Sequence, residues 1–343
     1  MPDEPTVTRA TGVPRDHHRA GGGFRNPLTV PTDAVDPLRA ARWMATRVAR
    51  GRTPSATPRV ALVGADLDAP SAGVRVTWLG HASLLLRSPT ATILVDPVFS
   101  ERVSPLSFAG PARAVALPVA PDALPPAETV LITHDHYDHL DTASVRRLHR
   151  RDRPLFVCPL GVAAWLRAQV GRDVRVAELD WWDAVELPGS VYATATPTKH
   201  FSGRGLTNRD STLWCGYHLA FPDGTVVYNV GDTAAAPVFT EVARRLPRAD
   251  LAVVPIGAYS PRWMMARVHV DPTEALDVFE ATGARTMLAA HWGTFDLADE
   301  PLGEPPELLT AEAERRGTAA RVLVLPVGGQ TTAGPTAATS PAG

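Results

Sequence analysis

The sequence predicts an α/β protein in which helices cover β-sheets from the outside. Three observations lead to this fold class. The chain has 343 residues, of which 45% are hydrophobic and 20% charged, and such a composition favours a globular fold over disorder or a coiled coil. Short apolar runs with strand character recur along the chain. The first runs form antiparallel pairs and the later ones alternate with helices, an order typical of sheets with helices packed outside them.

The chain divides into three predicted parts. Residues 1–25 are polar, contain glycine and arginine and lack periodicity, so we expect a mobile leader. Residues 26–332 form the predicted globular domain. It begins with an amphipathic helical extension over 37–51, where apolar residues recur at helical spacing. Residues 333–343 consist of small and turn-forming residues, and we expect a flexible tail.

The first half of the domain contains a predicted hairpin and two single strands. Residues 74–87 begin with strict alternation and are followed by the apolar run 91–99, which together predict a hairpin at the start of a sheet. Apolar runs at 128–133 and 154–159 predict one strand each. A helix is expected to follow the second of these strands.

The second half alternates strands with helices. A Pro-Asp-Gly turn at its centre predicts that the segment 212–233 is a hairpin. A helix is predicted over 271–283, where Gly283 stands near the position of a C-cap. Further strands are predicted over 191–200, 249–259, 284–295 and 321–329.

Charge and cysteine content exclude several classes of protein. The formal net charge is -2, so the chain as a whole has no positive field that would gather nucleic acid. No apolar run approaches the roughly 20 residues that span a bilayer, and the first residues lack the apolar core of a signal peptide. Cys158 and Cys215 alone make no disulfide framework. We therefore predict a cytoplasmic protein.

Histidine and aspartate residues stand where several predicted strands end. A cluster of three imidazoles and two carboxylates at the end of an apolar strand is costly in desolvation and like-charge repulsion, and a cation removes that cost. Nitrogen and carboxylate ligands without thiolate suit zinc, iron or manganese. Seven ligands exceed what one tetrahedral ion needs and suit two ions roughly 3.5–4 Å apart that share a bridging group. The set comprises His134, His136, Asp138, His139, His200, Asp232 and His291.

Long motifs of the chain resemble one family. HDHYDH, the later His200, GDT at Asp232 and His291 are similar to the metallo-β-lactamase superfamily. Closer still is the resemblance to its N-acyl-phosphatidylethanolamine-hydrolysing phospholipase D-like branch, carried by VTWLGHASLLL, ILVDPVFSERVSP, THDHYDHLD, GDTA, PIGAYSPRWMM, HVDPTEA and HWGTFDLADEPLGEPP. It runs from about Phe24 to Val327. The resemblance implies an αββα four-layer sandwich, with two mixed sheets flanked by helices and a dinuclear zinc site at one edge.

The resemblance also implies a role for each candidate ligand. Two zinc ions per chain are expected, although the residues themselves leave iron and manganese open. Asp232 would bridge the ions together with a hydroxide, and Asp96 would support the ligands from behind. One zinc would be held by His134, His136 and His200, and the other by Asp138, His139 and His291.

Two further residues are expected at the reacting groups. The family places a histidine beside the pocket at the position of His269, which makes it the candidate for contacting the substrate or leaving group. Tyr137 lies inside the metal motif and could reach substrate or pack its ring on the loop. The branch carries a glutamine directly before the pocket histidine, whereas this chain has Val268. That difference leaves recognition of a phospholipid head group open.

The resemblance implies a zinc-dependent phosphodiesterase of phospholipase D type acting on N-acyl-phosphatidylethanolamine-like lipids or related phosphodiesters. The alternative is a lactone or ester hydrolase on the same two-metal site. A di-iron redox protein is less favoured, because related redox members commonly carry a carboxylate at the position of His136. A non-catalytic metal-binding protein is less favoured because the ligand set is complete. Near-neutral charge and the lack of a basic extension argue against a nuclease.

Partners follow from the same prediction. We expect a small-molecule or phospholipid substrate, no nucleic acid, and at most transient membrane contact. A phospholipid substrate would bring the protein to the inner face of the membrane. The sequence leaves the natural substrate, the metal loaded in the cell, and the choice between monomer and homodimer open.

Overall fold

Two mixed β-sheets lie face to face in the computed structural model, which describes residues 5–27, 36–50, 57–62, 64–70, 72–106, 108–205 and 207–334. The eight-stranded sheet has the order β1 (Val7–Thr8), β8 (Ala184–Leu187), β9 (Val191–Thr196), β10 (Gly216–Ala220), β11 (Val226–Asn229), β12 (Leu251–Pro255), β13 (Thr286–Ala290), β14 (Val322–Leu323). The seven-stranded sheet has the order β15 (Gln330–Ala333), β2 (Val74–Gly80), β3 (Ser83–Arg87), β4 (Thr92–Val95), β5 (Thr129–Leu131), β6 (Leu155–Pro159), β7 (Arg175–Leu179).

Helices cover the outer faces of both sheets. The described helices are α1 (Pro37–Arg50), α2 (Thr142–Asp152), α3 (Val162–Val170), α4 (Val238–Arg245), α5 (Arg262–Met265), α6 (Pro272–Thr282) and α7 (Glu304–Arg315). Helices α2 and α3 pack on the seven-stranded sheet. Helix α6 contacts β12, α4 and α7 on the other side. The predicted αββα sandwich is confirmed.

The central strands of the sandwich are buried on both faces. In β5, Leu131 packs into the core between the sheets, while Val130 packs under the outer helices with Val145 and Leu166. Such strands are apolar at consecutive positions rather than at alternate ones. This burial is the main source of stability, at about 25 cal/mol for each Å² of apolar surface removed from water.

Helix α6 has the ends that its sequence predicts. The Asp271 side chain accepts a hydrogen bond from the Glu274 backbone, and the Glu274 side chain accepts one from the Asp271 backbone, so the two form a capping box. Pro272 opens the first turn, and Gly283 closes the helix with a φ of 66°.

The N-terminal residues pack on the eight-stranded sheet. Val7 of β1 pairs with Val185 of β8. The Arg9 guanidinium donates to Asp183 Oδ2 over 2.6 Å, and His17 Nε2 lies 2.7 Å from Asp180 Oδ1. His17 is 1% exposed. In place of the predicted mobile leader over 1–25, the structure therefore has a docked segment over 5–25.

The carboxylate of Asp180 is the main anchor of this segment. His18 Nε2 lies 2.9 Å from Asp180 Oδ2, and the Arg15 guanidinium donates to the same oxygen. Burial opposes ionisation of Asp180, but the bonds from His17 and His18 prevail and lower its pKa to about 2. The ring of His17 also stacks on Trp181 with centroids 4.2 Å apart. The polar composition of this segment led to the prediction of mobility. Composition does not reveal that the binding partner is the buried carboxylate of Asp180, more than 160 residues away in sequence.

The structure also gives the bounds of the predicted helical extension and of the predicted C-terminal tail. The helical extension predicted over 37–51 is α1, which ends at Arg50. Ala333 belongs to β15 and pairs with Val74, so the sheet includes the first residue of the predicted tail. Residues 335–343 lie outside the described residues. In the part of the chain that the structure describes, no helix has the length and apolarity needed to cross a bilayer.

Candidate metal centre

The candidate ligands follow the ends of strands from both sheets. His134 lies three residues beyond β5, His200 four beyond β9, Asp232 three beyond β11, and His291 directly after β13. Strands β4, β5 and β6 run parallel, as do β11, β12 and β13. Because the carboxyl ends of parallel strands meet at one edge, ligands from distant segments converge there.

Several site residues have strained backbones. His81, Asp96 and His291 have φ angles of 53°, 42° and 61°. Left-handed φ is uncommon outside glycine and costs free energy that the surrounding fold must offset. Each of the three residues directly follows a strand, so the left-handed turn redirects its side chain at the sheet edge.

Three imidazoles form the first ligand group. His136 Nδ1 lies 2.8 Å from His134 Nε2 and 3.3 Å from His200 Nε2. Burial lowers the pKa of His136 to about 3 and that of His200 to about 4, although Asp232 opposes the change at His200. The rings are therefore neutral, which is the form that binds metals.

Two imidazoles and a carboxylate form the second ligand group. His139 Nε2 and His291 Nε2 lie 3.3 Å apart. Asp138 Oδ2 lies 3.7 Å from the first and 3.6 Å from the second of these nitrogens. Burial opposes protonation of His291, but the Asp232 and Asp138 carboxylates raise its pKa to about 9. A divalent cation would take the place of that proton.

Asp232 lies between the two groups. Its Oδ2 is 3.1 Å from His291 Nε2, 3.3 Å from His139 Nε2 and 3.7 Å from His200 Nε2. Burial disfavours its charge, yet the imidazoles of His291 and His139 hold the pKa of Asp232 well below its usual range. One carboxylate oxygen thus faces ligands of both groups, as a bridging ligand would.

Hydrogen bonds behind the ligands fix which nitrogen faces inward. The outer nitrogen of His139, Nδ1, donates to Asp96 Oδ2 over 2.8 Å, and Thr133 donates to Asp96 from both its N–H and its hydroxyl. The outer nitrogen of His200 donates to the Val268 carbonyl over 2.8 Å. Each inner nitrogen then presents a lone pair to the centre.

These observations test whether the residues fit metal ions. The inner nitrogens of His139 and His200 converge on a buried space that the Asp232 carboxylate also faces. Burial opposes protonation of His139, but the Asp232 and Asp138 carboxylates raise its pKa well above the usual value, so this space favours positive charge. Lone pairs and carboxylate charge in one buried space repel each other unless a cation lies between them. The donor set of nitrogen and oxygen suits zinc. The seven predicted ligands are therefore brought together in an arrangement that fits two ions.

His81 is part of this site. Its Nε2 lies 2.9 Å from Asp138 Oδ2, and its ring centroid lies 3.9 Å from that of His291. Burial lowers the pKa of His81 to about 3, so the neutral ring donates its Nε2–H to Asp138. The Trp78 indole and the His291 backbone N–H both donate to the His81 carbonyl, which fixes its position.

We expect His81→Ala to weaken metal binding about tenfold or more, because Asp138 would lose its outer hydrogen-bond donor. Equilibrium competition with a chromophoric chelator measures this affinity. His81→Gln supplies another donor and should recover part of the loss. Unchanged affinity in the alanine variant would contradict a role for His81 in orienting Asp138.

A cavity of about 810 Å³ opens over the metal centre. Its polar end is lined by His136, Asp138, His200, Asp232 and His269. Its walls are apolar and its outer part carries arginines. No periodic pattern in the sequence predicts these walls, because their residues come from separate loops. The apolar lining residues are Phe201, Trp214, Met264, Met265, Val268 and Leu297.

Of the two residues expected at the reacting groups, only His269 lines this cavity. Its Nδ1 lies 3.9 Å from Asp232 Oδ2 and has no hydrogen-bond partner among the described residues. Tyr137 instead lines a separate cleft, where its hydroxyl donates to the Arg204 carbonyl over 2.9 Å under the Arg204 guanidinium. In the structure Tyr137 therefore packs against Arg204, as in the second of the two alternatives that the sequence left open.

Comparisons with known proteins agree with this geometry. The family described as Beta-lactamase superfamily domain matches residues 91–292. An uncharacterized protein of Mycobacterium tuberculosis is 40% identical over 243 residues, which span 70% of this chain and 64% of that protein. The N-acyl-phosphatidylethanolamine-hydrolyzing phospholipase D 1 of Caenorhabditis elegans is 34% identical over 269 residues, which span 75% of each chain.

A solved structure shares the fold at low identity. The isothiocyanate hydrolase from Delia radicum gut bacteria superposes with a TM-score of 0.60 at 20% sequence identity. The match covers 75% of this chain and 98% of that one. At this identity the likeness concerns the fold and not the reaction.

Proposed function

Because the chain belongs to the β-lactamase superfamily, and within it to the N-acyl-phosphatidylethanolamine-hydrolysing phospholipase D-like branch, we propose that this metal-dependent hydrolase is a two-zinc phosphodiesterase acting on amphiphilic phosphodiesters. The observation that carries the proposal is the place of Asp232 between two ligand groups, at the polar end of a cavity with apolar walls. Lipids of the N-acyl-phosphatidylethanolamine type combine a phosphodiester with acyl chains that such walls suit.

The proposed division of ligands follows the two groups. One ion would be held by His134, His136 and His200, and the other ion would be held by Asp138, His139 and His291. Asp232 would contact both ions. When bound, two zinc ions supply Lewis acidity to phosphoryl oxygens and lower the pKa of a water molecule to about 7.

His269 and the apolar walls of the cavity would position the substrate. Burial keeps the pKa of His269 well below its ordinary value, against the opposing charge of Asp232. The ring is therefore neutral and offers an N–H to an oxygen of the substrate or of the leaving alcohol. Met264 and Leu297 on the walls would receive hydrocarbon and exclude water from the reacting group.

We expect His269→Ala to lower kcat about a hundredfold while the metal content stays at the wild-type value. General acid–base catalysis by one positioned imidazole contributes a rate factor of this order. Steady-state kinetics and elemental analysis of the same sample measure both quantities. His218→Ala, a buried histidine bonded to the Pro247 carbonyl, controls for loss of any buried imidazole. Loss of metal from the His269 variant would make this residue a ligand or a structural support instead.

A substrate panel tests the proposed function. Metals are first counted in the protein as purified without chelator, and zinc-loaded protein is then assayed in parallel on N-acyl-phosphatidylethanolamine, bis(4-nitrophenyl) phosphate and an acyl lactone. The proposal expects turnover of both phosphodiesters. Lactone hydrolysis with inert phosphodiesters would favour the ester-hydrolase alternative. Two irons per chain with a visible absorption band would favour a redox protein, and inert protein without metal would favour a binding module.

Location and partners follow from this proposal. Hydrolysis of a phospholipid requires at least transient contact with a membrane surface, which vesicle co-sedimentation measures. We retain a cytoplasmic site of action and a small-molecule or phospholipid substrate as predictions.

A further inference from the structure

Four arginines line the cavity over the metal centre, and two of them share one carboxylate. Arg19 Nη2 lies 3.1 Å and Arg209 Nε 3.8 Å from the same carboxylate oxygen of Asp210. Arg25 and Arg267 line the same cavity. No hydrogen bond or ion pair of the Arg267 side chain is found among the described residues.

The contrast with Arg262 shows that Arg267 is not held by the fold. Arg262 Nη2 donates to Glu274 over 2.6 Å, and its Nη1 donates to the His269 carbonyl over 3.0 Å. Arg267 is half-buried and precedes Val268, whose carbonyl accepts the hydrogen bond from His200. A half-buried guanidinium that lines the cavity without a carboxylate partner is available to bind an anionic ligand.

Arg25 has a fixed backbone and free terminal nitrogens. Its N–H donates to the His17 carbonyl over 2.8 Å, and its Nε donates to the Asp16 carbonyl over 2.5 Å. Its two Nη groups have no partner in the described part of the chain. The guanidinium is therefore held at one nitrogen and leaves its outer edge for an anion.

The segment that carries Arg25 is attached to the metal centre. We call residues 15–27 the N-terminal loop. The buried Phe24 donates its N–H to the Asp210 carbonyl over 2.7 Å, and Asn26 Nδ2 donates to the His200 carbonyl over 3.0 Å. Together with the bonds to Asp180, these contacts make the N-terminal loop one wall of the cavity.

We propose that Arg25 and Arg267 form an anion subsite that selects substrates carrying a second anionic group, a carboxylate or a phosphate, beyond the phosphodiester at the metal centre. This inference rests on the proposed function, because it assigns the reacting phosphodiester to the metal ligands. Guanidinium groups match the planar oxygens of carboxylate and phosphate and bind them bidentately. The apolar residues that line the same cavity suit the hydrocarbon that would join the two anionic groups.

Three esters with one leaving group test the subsite. Hexyl, 5-carboxypentyl and 5-phosphonopentyl 4-nitrophenyl phosphate all release 4-nitrophenolate, and the latter two carry the additional anion at the end of the chain. We expect the wild-type KM to be about tenfold lower for at least one charged ester than for the hexyl ester, the gain of one charge-assisted contact. Which charged ester is preferred distinguishes carboxylate from phosphate.

Arg267→Gln and Arg25→Gln should each reduce this preference, and the double variant should abolish it while kcat on the hexyl ester stays unchanged. Arg244→Gln removes an equal charge from α4, where Arg244 is bound to Glu241 outside the cavity, and should keep the preference. A kcat loss of equal size on all esters would overturn the proposal, because Arg267 would then act on the reacting phosphate. Equal KM values in the wild type would overturn it as well.

A binding measurement separates this inference from the proposed function. Isothermal titration of metal-loaded protein with hexylphosphonate and 5-carboxypentylphosphonate needs no turnover. Tighter binding of the carboxylated ligand, lost in the double variant, would support the subsite even if no ester were hydrolysed. Equal binding of both ligands in the wild type, with hydrolysis intact, would leave the phosphodiesterase standing and remove the subsite.

Discussion

Asp232→Asn is expected to lower the hydrolytic rate on the order of a thousandfold and to reduce the bound metal, because the charge between the two ligand groups disappears. The carboxylate oxygen lies within 3.7 Å of nitrogens of His139, His200 and His291. Asparagine keeps the size of the side chain, so the change isolates charge from packing.

Activity and metal content are measured on the same purified sample, and circular dichroism reports whether the variant folds. Asp223→Asn, in the exposed turn between β10 and β11, is the matched control and should retain both quantities. Wild-type activity and metal content in the Asp232 variant would mean that Asp232 does not bridge the ions.

Asp96→Ala is expected to weaken metal binding about ten- to a hundredfold. Asp96 accepts the Nδ1–H of His139, and it is itself held by the backbone and hydroxyl of Thr133. Without that acceptor, His139 is free to turn its Nε2 away from the centre. Alanine is also disfavoured at the φ of 42° that this position requires.

Asp96→Asn separates these causes. Asparagine tolerates left-handed φ and its carbonyl still accepts from His139, but its NH2 group then faces the Thr133 N–H, so part of the metal affinity should return. Metal affinity by chelator competition and thermal stability are measured on both variants. Equal and large losses of affinity in both would show that the negative charge of Asp96, and not the orientation of His139, is what matters.

The ligand set was the part of the site most accessible from sequence. The run from His134 to His139 begins three residues after the end of an apolar strand, and a strand end leaves little freedom in where its next residues lie. Tyr137 sits in the same run, yet its side chain turns into another cleft and bonds to Arg204. Position along the chain therefore identifies the loop but not the direction of each side chain.

The docked segment at the N-terminus could not be read from local pattern. Residues 5–25 have the composition of a disordered leader, to which Arg9, Arg15 and His17 contribute. The partners of these three residues, Asp180 and Asp183, lie in a short connection between β7 and β8. Neither strand was predicted, because both are short and only partly apolar. Long-range pairing of charges has no periodicity that a single sequence displays.

The N-terminal loop and the metal ligands come from separate stretches of the chain, and this separation has an evolutionary consequence. Substitutions in the first 27 residues can alter the size and charge of what enters the cavity while the ligands from His134 onward stay intact. Exchange of this short segment between relatives would then change the substrate preference without changing the reaction. Under this division, substrate preference would diverge through the N-terminal loop, whereas purifying selection would act on the metal ligands.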